Sequence, residues 1–89
     1  MELNVAANMR IMPEGVDVNL NSVLKSVNEI VAKYGKVNSH EIKPIAFGLN
    51  SLEVMVLLND KEGGMDQIEA AISKIAGVNS VEILEVTRL

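Results

Sequence analysis

The sequence contains no cysteine and no tryptophan, and among its 89 residues there is one phenylalanine and one tyrosine. The absence of cysteine excludes disulfide bonds, thiolate catalysis and cysteine-ligated metal centres, and it fits a cytoplasmic location. Because aromatic rings are scarce, a core has to be built from aliphatic side chains within the hydrophobic 48% of the chain. This length is near the lower limit for an independent core, so we expect one domain over residues 1–89.

Long hydrophobic runs and an excess of basic charge are also missing. No apolar stretch approaches the roughly 20 residues that a membrane-spanning helix requires, and residues 1–4 lack the features of a secretory signal. The formal net charge is −4, and the Lys and Arg residues are scattered along the chain. Because sequence-independent affinity for nucleic acid comes mostly from basic side chains, we expect no direct contact with nucleic acid and none with a membrane.

Side chains that carry chemistry are few and poorly placed for it. His40 is the only histidine, and no carboxylate stands at metal-ligand spacing around it, so a surface position is a better interpretation than a ligand or a general base. The densest acidic cluster comprises Asp60, Glu62, Asp66 and Glu69. It lacks the ligand spacing of a calcium loop, and its position favours stabilisation of a helix N-terminus by negative charge. We therefore expect no catalytic site, no metal site and no cofactor.

The spacing of apolar residues predicts strands and helices in alternation. Residues 3–11 and 52–58 alternate with the period of two that a strand with one buried face requires, and Pro13 ends the first of these strands. Residues 20–34 carry apolar side chains at three- and four-residue spacing, which predicts an amphipathic helix with Asp17 or Asn19 as its N-cap and Gly35 as its stop.

The remaining segments complete the order of elements. A weaker strand is predicted over residues 36–43, ending at Pro44, which lacks a backbone donor. A second helix is predicted from about Met65 to Gly77, and a last strand over residues 78–89. The order β-α-β-β-α-β predicts an α+β ferredoxin-like fold, with a four-stranded antiparallel sheet and both helices on one face. That fold hosts many unrelated functions, so it does not indicate one by itself.

Two details of the strands bear on binding. In the last strand Val81 and Ile83 share one face and Val86 lies on the other, so the apolar phase slips near Leu84-Glu85, which indicates a β-bulge there that turns Glu85 outward. On the open face of the sheet, Met55 and its neighbour at position 57 form either a small contact surface or scattered apolar surface of the ordinary kind.

The segment Pro44–Leu49 holds the only phenylalanine. Phe47 lies between two predicted strands and directly before Gly48, where a loop or bulge would leave the ring partly exposed. From the residues alone, a phenylalanine that caps the core is the better interpretation.

Several short motifs, in this order and at these spacings, resemble the archaeal elongation factor 1-beta family and the exchange domain of its eukaryotic counterparts. The motifs are Met12-Pro13, Pro44-Ile45-Ala46-Phe47-Gly48-Leu49, Leu52-Glu53-Val54-Met55-Val56, Asp60, Glu62-Gly63-Gly64, Ile75-Ala76-Gly77-Val78, Ser80-Val81-Glu82-Ile83 and Val86-Thr87-Arg88-Leu89. The resemblance covers nearly the whole chain and implies the same ferredoxin-like fold.

The resemblance implies a nucleotide exchange factor that is not an enzyme. Its partner would be elongation factor 1-alpha, the GTPase that delivers aminoacyl-tRNA, and the chain would act as a monomer when free. In eukaryotic relatives an aromatic ring presses into the GTPase near its switch region, and a basic residue beside the C-terminus, commonly lysine, disturbs the magnesium site. The matching residues are Phe47, with its neighbours Ala46 and Gly48, and Arg88, with its neighbour Leu89.

Two other classes of protein share this fold. A small-ligand regulatory or self-associating module would pair subunits through the open sheet face at Met55 and Leu57. An acylphosphatase-like enzyme needs an arginine-bearing phosphate loop after the first strand, whereas residues 12–17 are acidic and contain no arginine.

Overall fold

The computed structural model describes residues 3–46, 48–59 and 64–89. Its elements follow the predicted order and are β1 (Val5–Pro13), α1 (Leu20–Val31), β2 (Gly35–Ala46), β3 (Leu49–Leu58), α2 (Met65–Ser73) and β4 (Val78–Arg88). The strands form a four-stranded sheet in the order β2-β3-β1-β4, with antiparallel pairing throughout. This confirms the predicted ferredoxin-like α+β fold. No helix in the described ranges is long and apolar enough to cross a membrane.

Both helices share one aliphatic core with the sheet. The period-two alternation predicted for β1 and β3 is confirmed, because the buried side chains fall at every second position of β1 and of β3 from Leu52 onward. Those with no exposed surface are Ala7, Met9 and Ile11 of β1 and Leu52, Val54 and Val56 of β3. The helices contribute Leu20, Val23, Val27 and Val31 from α1 and Ile68 and Ile72 from α2. The opposite face of the sheet is left uncovered by helices.

Helix α1 begins as predicted but ends earlier than its apolar stripe. Asn19 is the N-cap, and its Oδ1 accepts a hydrogen bond from the backbone N–H of Asn21 at 3.0 Å. The helix ends at Val31, and Gly35 is already the first residue of β2, so the predicted stop at Gly35 is wrong. Glycine is needed there for a different reason. A Cβ on Gly35 would stand 1.9 Å from the backbone oxygen of Leu57, so a side chain would force β2 away from β3.

Strand β2 is longer than predicted because Pro44 does not end it. The strand continues to Ala46, and Pro44 pairs in register with Asn50 of β3. Since β2 is an edge strand with a neighbour on one side only, it tolerates a residue that lacks a backbone donor.

Helix α2 is shorter than predicted and ends at Ser73, with a turn that includes Gly77 before β4. Asp66 lies in its first turn, which is the predicted position for stabilising negative charge. The predicted cluster members Asp60 and Glu62 lie outside the described residues.

The bulge predicted in β4 is confirmed at the expected place. The pairing with β1 shifts between Asn8, which lies opposite Glu85, and Met9, which lies opposite Ile83, so Leu84 is the extra residue. Glu85 is exposed, as predicted.

Candidate functional site

The predicted Phe47 segment lies at the connection between β2 and β3. Ala46 pairs with Leu49, so positions 47 and 48 join the two strands, and Phe47 itself lies outside the described residues. Gly48 is exposed and has a φ of +81°, a backbone conformation that favours glycine. A Cβ built on Gly48 would have nothing within 4 Å. The segment therefore lies at the tip of a β-hairpin at one end of the sheet.

Apolar side chains are exposed next to this hairpin tip. Ile42 and Ile45 are 42% and 44% exposed, and every residue of β2 after Val37 is exposed. The register shifts between Pro44 and Ala46, which makes Ile45 a bulge residue. Sequence analysis did not single out Ile42 and Ile45 as site residues. Their exposure depends on how far the helices reach along the sheet, which is a tertiary property.

The C-terminal tail is held against the opposite end of the sheet. Arg88, the last residue of β4, pairs in register with Val5 of β1. Beyond it, the backbone N–H of Leu89 donates to the carbonyl of Asn4 at 2.8 Å, and the N–H of Asn4 donates to the carbonyl of Leu58 at 2.9 Å. The Leu89 side chain remains 68% exposed. The tail therefore combines a fixed backbone with exposed side chains.

The structure does not bring the two predicted contact regions together. Strands β3 and β4 both run antiparallel to β1, so they point in the same direction. The hairpin tip lies where β3 begins, whereas the tail lies where β4 ends, at the same end of the sheet as the end of β3. The ten residues of β3 span about 30 Å at about 3.3 Å per residue. Ala46 and Gly48, which flank Phe47 in the chain, thus lie at one end of the sheet, and Arg88 and Leu89 lie at the other.

The open face of the sheet carries charged side chains across all four strands. Arg10 Nε of β1 lies 3.8 Å from a carboxylate oxygen of Glu53, and its Nη1 lies 3.9 Å from one of Glu82. Lys43 Nζ of β2 lies 3.4 Å from Glu53 and 3.8 Å from Glu41. Because Glu41 and Glu53 stand opposite each other in register, Lys43 offsets the repulsion between two like charges. Ion pairs, and not a wide apolar patch, occupy this part of the face.

The other residues weighed from the sequence lie in β2 and β3. Met55 and Leu57 are half-buried in β3, where they pair with Asn8 and Ala6. His40 is exposed in β2, which confirms the predicted surface position. Within the described ranges, no group of three His, Asp or Glu side chains could hold a metal ion.

The family model of the EF-1 guanine nucleotide exchange domain matches residues 6–89, a range that includes both ends of the sheet. The chain belongs to this family. A function in translation elongation as a guanine nucleotide exchange factor follows from that membership, and it confirms the function predicted from the sequence.

Relatives of nearly equal length support the assignment to the exchange domain family. The elongation factor 1-beta of Methanococcoides burtonii is 40% identical over 94% of both chains. That of Methanothermobacter thermautotrophicus is 38% identical over 97% of both chains. That of Archaeoglobus fulgidus is 41% identical over 90% of this chain and 91% of the relative. The predicted resemblance to the archaeal proteins is therefore confirmed.

Solved structures of other proteins share the fold at low sequence identity. The ACT domain of a GTP pyrophosphokinase from Chlorobium tepidum is 18% identical, with a TM-score of 0.64 over 91% of this chain and 99% of that one. The C-terminal domain of the MgtC protein from Mycobacterium tuberculosis is 11% identical, with a TM-score of 0.62 over 97% of this chain and 87% of that one. At these identities the likeness concerns the fold alone.

Proposed function

We propose that the chain promotes the exchange of GDP for GTP on elongation factor 1-alpha by binding this GTPase, without making or breaking a covalent bond. The observation that carries the proposal is the family match over residues 6–89. The archaeal relatives named elongation factor 1-beta have nearly the same length, which supports a single exchange domain over residues 1–89. A role in translation elongation supports the proposed location in the cytoplasm.

Differential binding is sufficient for this activity. A protein that binds the nucleotide-free GTPase more tightly than the GDP-bound form must weaken GDP binding by the same factor, because the two binding equilibria are linked. No general base, nucleophile or cofactor is needed for such a step. The proposal therefore requires only contacts that differ between the two states of the GTPase.

The proposed contacts lie at both ends of the sheet. Phe47, with Ala46 and Gly48, forms the contact at the hairpin tip, and Arg88 with Leu89 forms the contact at the tail. Exposed apolar side chains flank both regions, which supports the assignment because such surfaces are enriched where proteins associate. The most exposed of these are Ile42 and Ile45 at one end and Val86 and Leu89 at the other.

Arg88 is proposed to act on the magnesium site of the GTPase. A cation brought beside Mg²⁺ and phosphate disfavours the metal electrostatically, and Mg²⁺ holds the phosphates of the nucleotide. The 2.8 Å hydrogen bond from the N–H of Leu89 to the carbonyl of Asn4 restrains the backbone next to Arg88. Less conformational entropy is then lost when the tail enters the partner.

The free chain is proposed to be a monomer that contacts neither nucleic acid nor a membrane. The ion pairs around Glu53 support a monomer, because stable homodimer interfaces are more apolar than the rest of the surface. The net charge of −4 is unfavourable for binding the phosphates of nucleic acids.

The proposal is tested by loading elongation factor 1-alpha from the same source with a fluorescent GDP analogue. Its release into excess unlabelled nucleotide is measured with and without the chain, and the chain is expected to accelerate it. An equal concentration of an unrelated acidic protein serves as the control. Unchanged release at stoichiometric concentrations of the chain would refute the proposed function.

A further inference from the structure

Beside the tail, described residues on the helix-covered side of the sheet line a groove of about 430 Å³. Its floor is formed by apolar residues at the ends of three strands, Leu58 of β3, Val5 of β1 and Val86 of β4. Its wall is the first turn of α2, where Met65 contributes a fourth apolar side chain and Asp66 lies at the rim. The volume falls within the range of about 300–1,000 Å³ that is typical of ligand pockets.

The β4 bulge explains why Val86 reaches this groove. If β4 alternated regularly through Leu84, Val86 would lie on the open face, because successive side chains point to opposite faces of a strand. With the bulge, Val86 pairs with the fully buried Ala7 and so belongs to the helix-covered face. The helices do not cover it there, since its side chain remains 56% exposed.

The groove is continuous with the tail. Arg88 follows Val86 by two residues and therefore lies on the same face of β4, and it pairs in register with Val5, which forms part of the groove floor. The exposed side chain of Leu89 comes next. A partner that receives Arg88 would therefore also meet the groove.

We propose that this groove receives an apolar side chain of the GTPase, presented next to a basic residue that faces Asp66. The proposal rests on the proposed function and extends the tail contact from Arg88 and Leu89 to a docking surface. Asp66 is exposed at the rim of a chain with a net charge of −4, so a basic flank on the occupant is electrostatically complementary. A second copy of the chain fits less well, because two concave apolar surfaces cannot fill each other.

The test measures binding of the chain to nucleotide-free GTPase by calorimetry, and release of the fluorescent GDP analogue in parallel. Val86→Asp is expected to weaken binding about tenfold or more, because it removes an apolar contact and places a charge in the groove. The matched control is Val16→Asp, since Val16 is also exposed, at 69%, and lies in the loop after β1, outside the groove and outside the residues proposed for both contacts. The control should bind within about twofold of the wild-type chain.

Val86→Thr separates docking from folding, because threonine keeps the shape and the strand preference of valine. It should weaken binding about threefold without lowering the melting temperature. Asp66→Asn should weaken binding at low salt and have little effect at high salt.

Equal binding by wild-type chain, Val86→Asp and Val86→Thr would overturn the groove assignment. A change in the sedimentation of the free chain on Val86→Asp would also overturn it, in favour of self-association. If the wild-type chain binds the GTPase without accelerating release, the proposed function fails, and the Val86 variants still decide where the GTPase docks.

Discussion

Phe47→Ala and Arg88→Ala should slow nucleotide exchange by independent amounts. The strand register places the hairpin tip and the tail at opposite ends of the sheet, separated by about 30 Å for a ten-residue strand. Substitutions more than about 7–10 Å apart with no shared partner group usually have additive effects on free energy. The fold decrease in the exchange rate of the double variant should therefore equal the product of the fold decreases of the two single variants.

The size of each loss follows from the kind of contact that is removed. A phenylalanine side chain withdrawn from an apolar contact removes about 1.5–3 kcal/mol. Hydrogen bonds to a charged group contribute about 1.5–3 kcal/mol, so Arg88→Ala should remove a similar amount of contact free energy with the GTPase. Each single variant is then expected to lower kcat/KM for GDP release by one to two orders of magnitude, since about 1.4 kcal/mol corresponds to a factor of ten.

The assay follows release of the fluorescent GDP analogue as the concentration of each variant is raised, and the initial slope gives kcat/KM. Melting temperatures equal to that of the wild-type chain confirm that both single variants fold. A coupling free energy above about 1 kcal/mol between Phe47→Ala and Arg88→Ala would refute the reasoning. It would mean that the two ends contact the GTPase as one unit.

Two further predictions concern the stability of the sheet that separates the contacts, and both are checked by thermal and urea unfolding. Gly35→Ala should lower the melting temperature by roughly 10 °C, because its Cβ would meet the backbone oxygen of Leu57 and overpacking costs about 1–3 kcal/mol. Gly15→Ala is the matched control and should change it by less than about 3 °C, since the nearest atom is a flexible carboxylate oxygen of Asp17 at 3.3 Å. Lys43→Met should cost no more than about 1 kcal/mol at low salt and less at high salt, because the side chain is 48% exposed. A larger, salt-independent loss would contradict an electrostatic role for Lys43.

The sequence was sufficient for the parts of the fold that depend on local pattern. Alternation predicted β1 and β3, and the phase slip near Leu84-Glu85 predicted the bulge that the pairing with β1 assigns to Leu84. These signals are reliable because one buried face imposes a period of two on its side chains, and an extra residue has to shift that period.

The local sequence pattern gave wrong or incomplete predictions where contacts with a neighbouring strand or helix determine the structure. Glycine is a residue type that commonly ends helices, yet Gly35 is needed because a side chain there would prevent the close approach of β2 to β3. Pro44 lacks a backbone N–H donor and was therefore predicted to end β2, yet an edge strand tolerates it. The exposure of Ile42 and Ile45 likewise depends on where the helices stop covering the sheet. All three features depend on tertiary contacts, which the neighbouring sequence does not reveal.

The separation of the hairpin tip from Arg88 follows already from the predicted fold, because strand order and direction determine which strand ends lie side by side. Its consequence is mechanistic. Only a contact that is stronger in the nucleotide-free state than in the GDP state accelerates release, whereas a contact that is equal in both states raises affinity alone. On the proposed function, the tail is the end that distinguishes these states, because its cation opposes Mg²⁺. The hairpin contact, about 30 Å away along the sheet, then raises the affinity of the complex and with it the fraction of GTPase molecules to which the tail is bound.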